Sequence, residues 1–332
     1  MNYTTFINKI LLTIITILNL IMYNTYIMQI GTMFITVLGL CLFEIISSID
    51  NAVINAEVLG TMGRKARQWF LLWGFLFAVF IVRGLLPWVI IWVTVPSLGP
   101  IGSLTATFSN DPSIHLAIEK ASPILLLGGG TFLIFLFFHW LFLENKNFGL
   151  RHERFFQKNG TWFFAVVSII LAVLVWYTIK INPMLAFAAV IGSTAFFITH
   201  GFKENAEKGE QSLVSSDNKM SDLSKILYLE IIDATCSIDG VLGAFAFTLS
   251  VPLIILGNGL GASILRRLTI GNIDRIKKYA FLKNGAMYSI FILGIVMMLD
   301  AFGIKVPSYV SPLVTFIIIG FFIIKSVKYS KI

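Results

Sequence analysis

The chain has 332 residues, of which 57% are hydrophobic and 13% charged, and a formal net charge of +8. About a quarter of the residues of a soluble globular domain are charged, so this deficit excludes an ordinary soluble enzyme and points to helices surrounded by lipid. On a soluble protein the positive charge would suggest nucleic acid; here it sits in short connections between apolar runs, where it reports membrane topology instead.

In chain order, apolar stretches long enough to span a bilayer are expected at 5–24, 30–59, 69–95, 122–143, 162–180, 183–200, 224–249, 251–268, 279–300 and 308–326. The first could pass for a signal peptide, but it has no clear small-x-small cleavage site and more spans follow it. The expected fold class is an all-α, polytopic transmembrane helix bundle of about ten spans. Five units are expected: an N-terminal extra helix at 1–29, a first repeat at 30–143, connecting spans with polar loops at 144–223, a second repeat at 224–300, and a C-terminal helix with a basic tail at 301–332. The stretch 201–223 is polar and poor in aromatics and reads as a linker.

Lys and Arg cluster in alternate connections: Arg64, Lys65 and Arg67; Lys146, Arg151, Arg154 and Lys158; Lys203, Lys208, Lys219 and Lys225; Arg266, Arg267, Arg275, Lys277 and Lys278; and Lys325, Lys328 and Lys331. With Lys9 these hold 20 of the 25 basic residues. Ten spans put all of them on one side, which predicts a bacterial plasma (inner) membrane protein with both termini cytoplasmic.

Two mid-span segments resemble each other. Glu44 to Asn51 (EIISSIDN) and Asp233 to Gly240 (DATCSIDG) both read acid, three residues, Ser, Ile, Asp, at a constant offset of 189 residues. With the spans above, the two segments run antiparallel. That is the arrangement of inverted-topology repeats, here two three-helix units, which commonly hold a binding site at their interface. Four acids in apolar surroundings, Glu44, Asp50, Asp233 and Asp239, are costly at about 2.5–3.5 kcal/mol each on an insertion scale. A bound cation, a proton or a paired base would offset them, and Arg83 and Lys283 are the bases within or near spans. Residues six apart on a helix differ by about 120° around its axis, so a local break at Asp50-Asn51 and at Asp239-Gly240 is expected to turn the acids to one centre. Carboxylate, amide and carbonyl oxygens suit Mg²⁺, Ca²⁺ or Mn²⁺. Ser48, Asn51, Ser237 and Asn258 are the neutral candidates beside the acids. The glycines of Gly128-Gly129-Gly130 and Gly257-Asn258-Gly259-Leu260-Gly261 suggest close helix contact or backbone approach to an ion. His139 and His200 sit at or near span ends and read as interfacial or hydrogen-bonded rather than as ligands. Cys41 and Cys236 fall in apolar runs and read as buried thiols. No Ser/His/Asp, HExxH or CxxC arrangement supports enzymatic chemistry, and no cofactor is expected.

At these residues the chain resembles the TerC (tellurium-resistance protein C) family of bacterial membrane proteins. Glu44 to Asn51 matches its early motif and Asp233 to Asp239 its late one. LEIIDATCSIDGVLGAFAFT, GNGLGASILRRLTI, LKNGAMYSIFILG and GGGTFLIFLFFHWLFLE resemble a functionally uncharacterised TerC-related branch. The resemblance covers about residues 30 to 325 and implies divalent-cation handling, chiefly manganese export, with some members linked to tellurite resistance; Asn258 and Arg266 are family-like positions, while Gly240 departs from the main family. The resulting expectation is a transporter that exports a divalent cation, with Mn²⁺ foremost, through Glu44, Asp50, Asp233 and Asp239. The alternatives are a non-transporting membrane component of a metal or tellurite stress-response complex, and a transporter of another small substrate. The partners expected are the lipid bilayer and the cation, not nucleic acid.

Overall fold

The apolar runs fold as helices in a computed structural model that describes residues 28–74, 76–77, 83–106, 112–146, 148–214, 221–277 and 279–329. The expected span at 5–24 lies outside the described residues. The helices are α1 (Met28–Ser47), α2 (Ile49–Gly60), α3 (Arg64–Trp69), α4 (Arg83–Thr94), α5 (Gly99–Ala106), α6 (Pro112–Leu143), α7 (Arg151–Lys158), α8 (Trp162–Thr178), α9 (Pro183–Val214), α10 (Asp222–Ala244), α11 (Val251–Lys277), α12 (Leu282–Ala301) and α13 (Val310–Tyr329). A π-turn at Phe70–Gly74 follows α3. Among the described residues there is no strand.

Five helical stretches are long and apolar enough to cross a membrane: Met28–Ser47, Leu116–Leu143, Pro183–Phe202, Leu282–Ala301 and Val310–Tyr329. Two bent pairs raise the number to seven if each is one span. Arg83–Thr94 meets Pro96–Ser103 at 103°, and Arg151–Lys158 meets Trp162–Thr178 at 95°. The protein is therefore an all-α, multi-pass membrane bundle. The expected spans at 224–249 and 251–268 coincide with α10 and α11, whose apolar stretches are interrupted by Glu230, Asp233, Asp239, Arg266 and Arg267.

The linker expectation is corrected over residues 201–214, where α9 continues as helix to Val214; residues 215–220 lie outside the described residues. The run Lys203 to Gln211 is polar but rich in Lys, Glu, Ala and Gln, which are good helix formers.

The core lies where α6 packs against α9 and α12, with α13 on the far side of α12. Phe132, Phe135 and Trp140 of α6, Phe196 of α9 and Leu293 and Met297 of α12 are buried together. Lipid gives helices no hydrophobic reason to associate, so close dispersion contact takes over, and small residues allow it. A Cβ on Gly192 of α9 would collide with the Gly128 carbonyl oxygen of α6, and one on Gly130 would stand 3.0 Å from the Gly294 oxygen of α12. The triple glycine thus serves helix contact, as its sequence suggested.

One end of this core is closed by polar contacts. Lys146 Nζ donates to the Trp140 and Leu141 carbonyls at 2.8 and 2.7 Å and satisfies the last turn of α6. Burial pushes the Lys146 ammonium below the usual lysine range, and Glu153 partly counters this. The fully buried Glu153 carboxylate accepts from Leu150 N–H at 2.7 Å and from Asn284 Nδ2 at 2.8 Å. Phe281 N–H donates to Ser326 Oγ at 3.0 Å, so the end of α6, the start of α12 and the end of α13 share one side.

Candidate functional site

The two motif helices run antiparallel, as their contacts show. Phe43 and Glu44 of α1 meet Gly243 and Gly240 of α10. Seventeen residues after Glu44, Thr61 Oγ1 accepts from Lys225 Nζ at 2.9 Å, and Gly63 N–H donates to Asp222 at 3.2 Å. Rising residue numbers on α1–α2 thus meet falling numbers on α10. Val58, Leu59 and Met62 join Ile226, Leu229 and Phe70 in a small apolar cluster between the Glu44 level and that polar end.

Glu44 is fully buried. Its Oε1 accepts from Arg83 Nη2 at 2.5 Å and from Ser48 Oγ at 2.9 Å. Arg83 is itself buried, so the pair exchanges charge solvation for direct contact. Oε2 has no hydrogen-bond partner among the described residues, and a Cβ on Gly240 would come within 3.2 Å of it. On the other flank, α11 approaches so closely that a Cβ on Gly261 would lie 2.7 Å from Glu44 Cβ, while one on Gly257 would lie 2.5 Å from Leu40 Cβ. Gly257 and Gly261 are one turn apart, as are Leu40 and Glu44, so glycines of α11 form a groove for α1.

Asp233 is half-buried and lies within electrostatic reach of Glu44, Glu230 and Arg266. Ser237 Oγ donates to the Asp233 carbonyl at 2.6 Å, a bond within α10 and not to a carboxylate. Glu230, Asp233, Ser237 and Gly240 recur at three and four residues, so they line one face of α10 over about 15 Å. Asp239 falls about 120° from Asp233 around the same helix. Asn258 of α11 is fully buried, and both atoms of its amide lack a hydrogen-bond partner among the described residues. The side chains of Asp50, Asn51 and Cys236 lie outside the described residues.

Two expectations are corrected. The first is the helix break. α10 is continuous through Asp239 and Gly240. On the other motif the interruption falls at Ser48, before Asp50-Asn51, and the bonds Ser48 N to Glu44 O (3.1 Å) and Ala52 N to Ser48 O (3.0 Å) carry the helix across it. Gly240 is there for space against Glu44, and that contact offsets its weak helix propensity. The second concerns Lys283. It pairs with Glu144 at 2.5 Å at the polar end of the bundle, away from Glu44. Among the described residues, no group of three or more His, Cys, Asp or Glu is placed to hold a metal ion. Arg83 occupies the cationic position beside Glu44.

The sequence reading missed Glu230. Its two carboxylate oxygens lack hydrogen-bond partners among the described residues, and a Cβ on Gly74 would collide with Oε1. Arg266, close by, donates to the Phe70 carbonyl of the π-turn at 2.5 Å and lies over the Phe70 ring. Spacing was the available signal, since Glu230 is three residues before Asp233 on the same helical face. Elsewhere, His139 and His200 place their ring centroids 3.6 Å apart between Phe163 and Phe196, so they are neighbours within the α6–α9 contact.

A model of the family described as "Protein of unknown function (DUF475)" matches residues 49–332. The match takes in Asp50, Asn51, Asp233, Asp239, Asn258 and Arg266, and it begins five residues after Glu44. No curated protein and no solved structure matches the chain.

Proposed function

From the premise that the chain belongs to the DUF475 family, we propose that it is an integral membrane transporter that exports a divalent cation, Mn²⁺ foremost, across the bacterial inner membrane. The observation that carries this reading is the state of Glu44. A fully buried carboxylate has one oxygen held by a tethered cation, Arg83, and the other without a hydrogen-bond partner among the described residues. A divalent ion arriving beside Oε2 would share Glu44 with Arg83 or displace it, and Arg83 would return when the ion leaves. The buried charge is then compensated in both states, which lowers the barrier between them.

Further support comes from the surroundings. Asp233 lies on the antiparallel helix within electrostatic reach of Glu44, and Asn258 brings a fully buried amide oxygen without a hydrogen-bond partner among the described residues. In this reading Asp50 and Asp239 complete the acidic set, with Ser48, Asn51 and Ser237 as neutral neighbours. The full complement of ten spans, the inverted repeats of 30–143 and 224–300, the likeness to TerC proteins and the cytoplasmic termini belong to the same proposal. Hard oxygen donors favour Mn²⁺, Mg²⁺ or Ca²⁺ over softer metals.

The Glu44–Arg83 pair also favours a second reading, in which the charges are a permanent structural pair and the protein is a non-transporting component of a metal or tellurite stress complex. Metal accumulation in cells separates the two. Under the transport reading, expression lowers cellular manganese, and Asp50→Asn or Asp239→Asn abolishes that effect while the protein remains inserted. If both variants lower manganese as the unaltered chain does, the transport reading is wrong.

A further inference from the structure

The end of the bundle where α6 stops and α12 starts carries an exposed basic and aromatic surface. Phe148 is 40% exposed, with its ring centroid 5.6 Å from that of Tyr329 and 6.3 Å from that of Phe281. Lys325 Nζ lies over the Phe281 ring at 5.0 Å, and Lys328 is exposed one residue before the end of α13. Arg151, three residues after Phe148, is exposed and opens α7. This short helix turns 95° into α8, so if α8 crosses the bilayer, α7 lies along its surface. Beyond Arg151, α7 exposes Arg154 and Lys158, with Phe155 at 64% and Trp162 just after it at 62%.

Among the described residues, the acids nearby do not neutralise this surface. Glu153 is fully buried on the inner face of α7, and Glu144 is paired with Lys283. Arg151, Lys325 and Lys328 therefore present positive charge at the depth where spans end, flanked by rings of the size that settle at a membrane–water interface. Fixed positive charge at that depth complements the phosphodiester of a lipid headgroup, and the aromatic rings suit the adjoining acyl boundary.

We infer that the surface formed by Phe148, Arg151, Lys325, Lys328 and Tyr329, extended by α7, is a docking site for the headgroups of anionic phospholipids. A basic residue near a membrane surface strengthens attraction to anionic lipid by about fivefold, so removing three of them should weaken retention by about a hundredfold. The inference does not depend on transport or on which side is cytoplasmic.

The test uses the full chain purified in detergent and titrated with phosphatidylglycerol or phosphatidylcholine, with bound lipid counted by native mass spectrometry. The expected result is retained phosphatidylglycerol, little phosphatidylcholine, and loss of the phosphatidylglycerol adduct in Arg151→Gln/Lys325→Gln/Lys328→Gln. The control is Lys180→Gln/Lys305→Gln. Contact between Tyr177 and Phe302 puts Lys180 and Lys305 at the opposite end, so this variant should keep the adduct. Should the triple variant misfold, salt titration of the unaltered chain gives a second reading, because screening should release a headgroup held by charge. Equal retention of the two lipids, adducts that survive both the triple substitution and high salt, or equal loss in the control variant would overturn the inference. Displacement of the lipid by an acidic soluble protein, with no preference between lipids, would also overturn it and assign the surface to a protein partner.

Discussion

Gly240 faces Glu44 Oε2 so closely that a methyl group on it would stand 3.2 Å from that oxygen. On the far side of the same glutamate, a Cβ on Gly261 would lie 2.6 Å from the Cys41 carbonyl oxygen. Two helices of the second half of the chain thus reach one glutamate of the first half, one at its carboxylate and one at its aliphatic stem, through positions that carry no side chain.

Gly261→Ala should destabilise the protein by about 1–3 kcal/mol, because the added methyl meets backbone that cannot move aside. Gly240→Ala should cost less, since its nearest atom is a side-chain oxygen that can rotate. Thermal unfolding in detergent would rank the two. If Gly240→Ala proved the more damaging, the close approach of α11 to α1 would not be limiting.

Arg83→Gln leaves Glu44 buried without its cation and should cost about 3–5 kcal/mol. Arg83→Met combined with Glu44→Leu should recover most of that loss, because neither charge then needs a partner. The coupling is read from a double-mutant cycle of Arg83→Met, Glu44→Leu and the two together. Under the transport proposal, millimolar Mn²⁺ should also raise the melting temperature of Arg83→Gln more than that of the unaltered chain, by stabilising whichever state binds it.

Topology has a direct check. Cysteines introduced at Lys158 and Lys208 should resist an impermeant reagent added outside intact cells and react once the membrane is opened. Reaction from outside would reverse the orientation and, with it, the direction of export.

Lys146 gives a pH signature. Its charged form is disfavoured in the fold by burial, so the unfolded chain binds its proton more tightly. Stability should therefore rise with pH between the lowered value in the fold and the ordinary lysine value near 10.4. Lys146→Met should flatten that rise in alkaline melts. An unchanged slope would mean that another group titrates there.

The sequence made some of this legible because the signals were local. Long apolar runs marked the helices, and charges within them stood out, although the sequence left Arg83 and Lys283 both open as bases for the acids and only the fold joins Arg83 to Glu44. Glycines at turn spacing announced close contact at Gly128 and at Gly257–Gly261. Glu230 was harder to see. It lies toward the start of α10, where charged residues are ordinary, and its surroundings, Gly74, Phe70 and Arg266, come from two distant segments. The expected break at Asp239-Gly240 followed from propensity, whereas the tight fit of Gly240 on Glu44 is a tertiary contact that no local rule contains. The right-angle turn between α7 and α8 was equally hidden, since residues 144–161 read only as a basic connection.

The length of α9 has a mechanical consequence. Its 32 residues extend about 48 Å at about 1.5 Å each, against a hydrocarbon layer about 30 Å thick. If Pro183–Phe202 occupies the bilayer, the remainder of α9 stands out as a stiff lever roughly 18 Å long. A tilt of about 10° within the membrane would swing its tip by about 3 Å. Rocking between the two halves would then be most easily detected well outside the bilayer, at the far end of that arm.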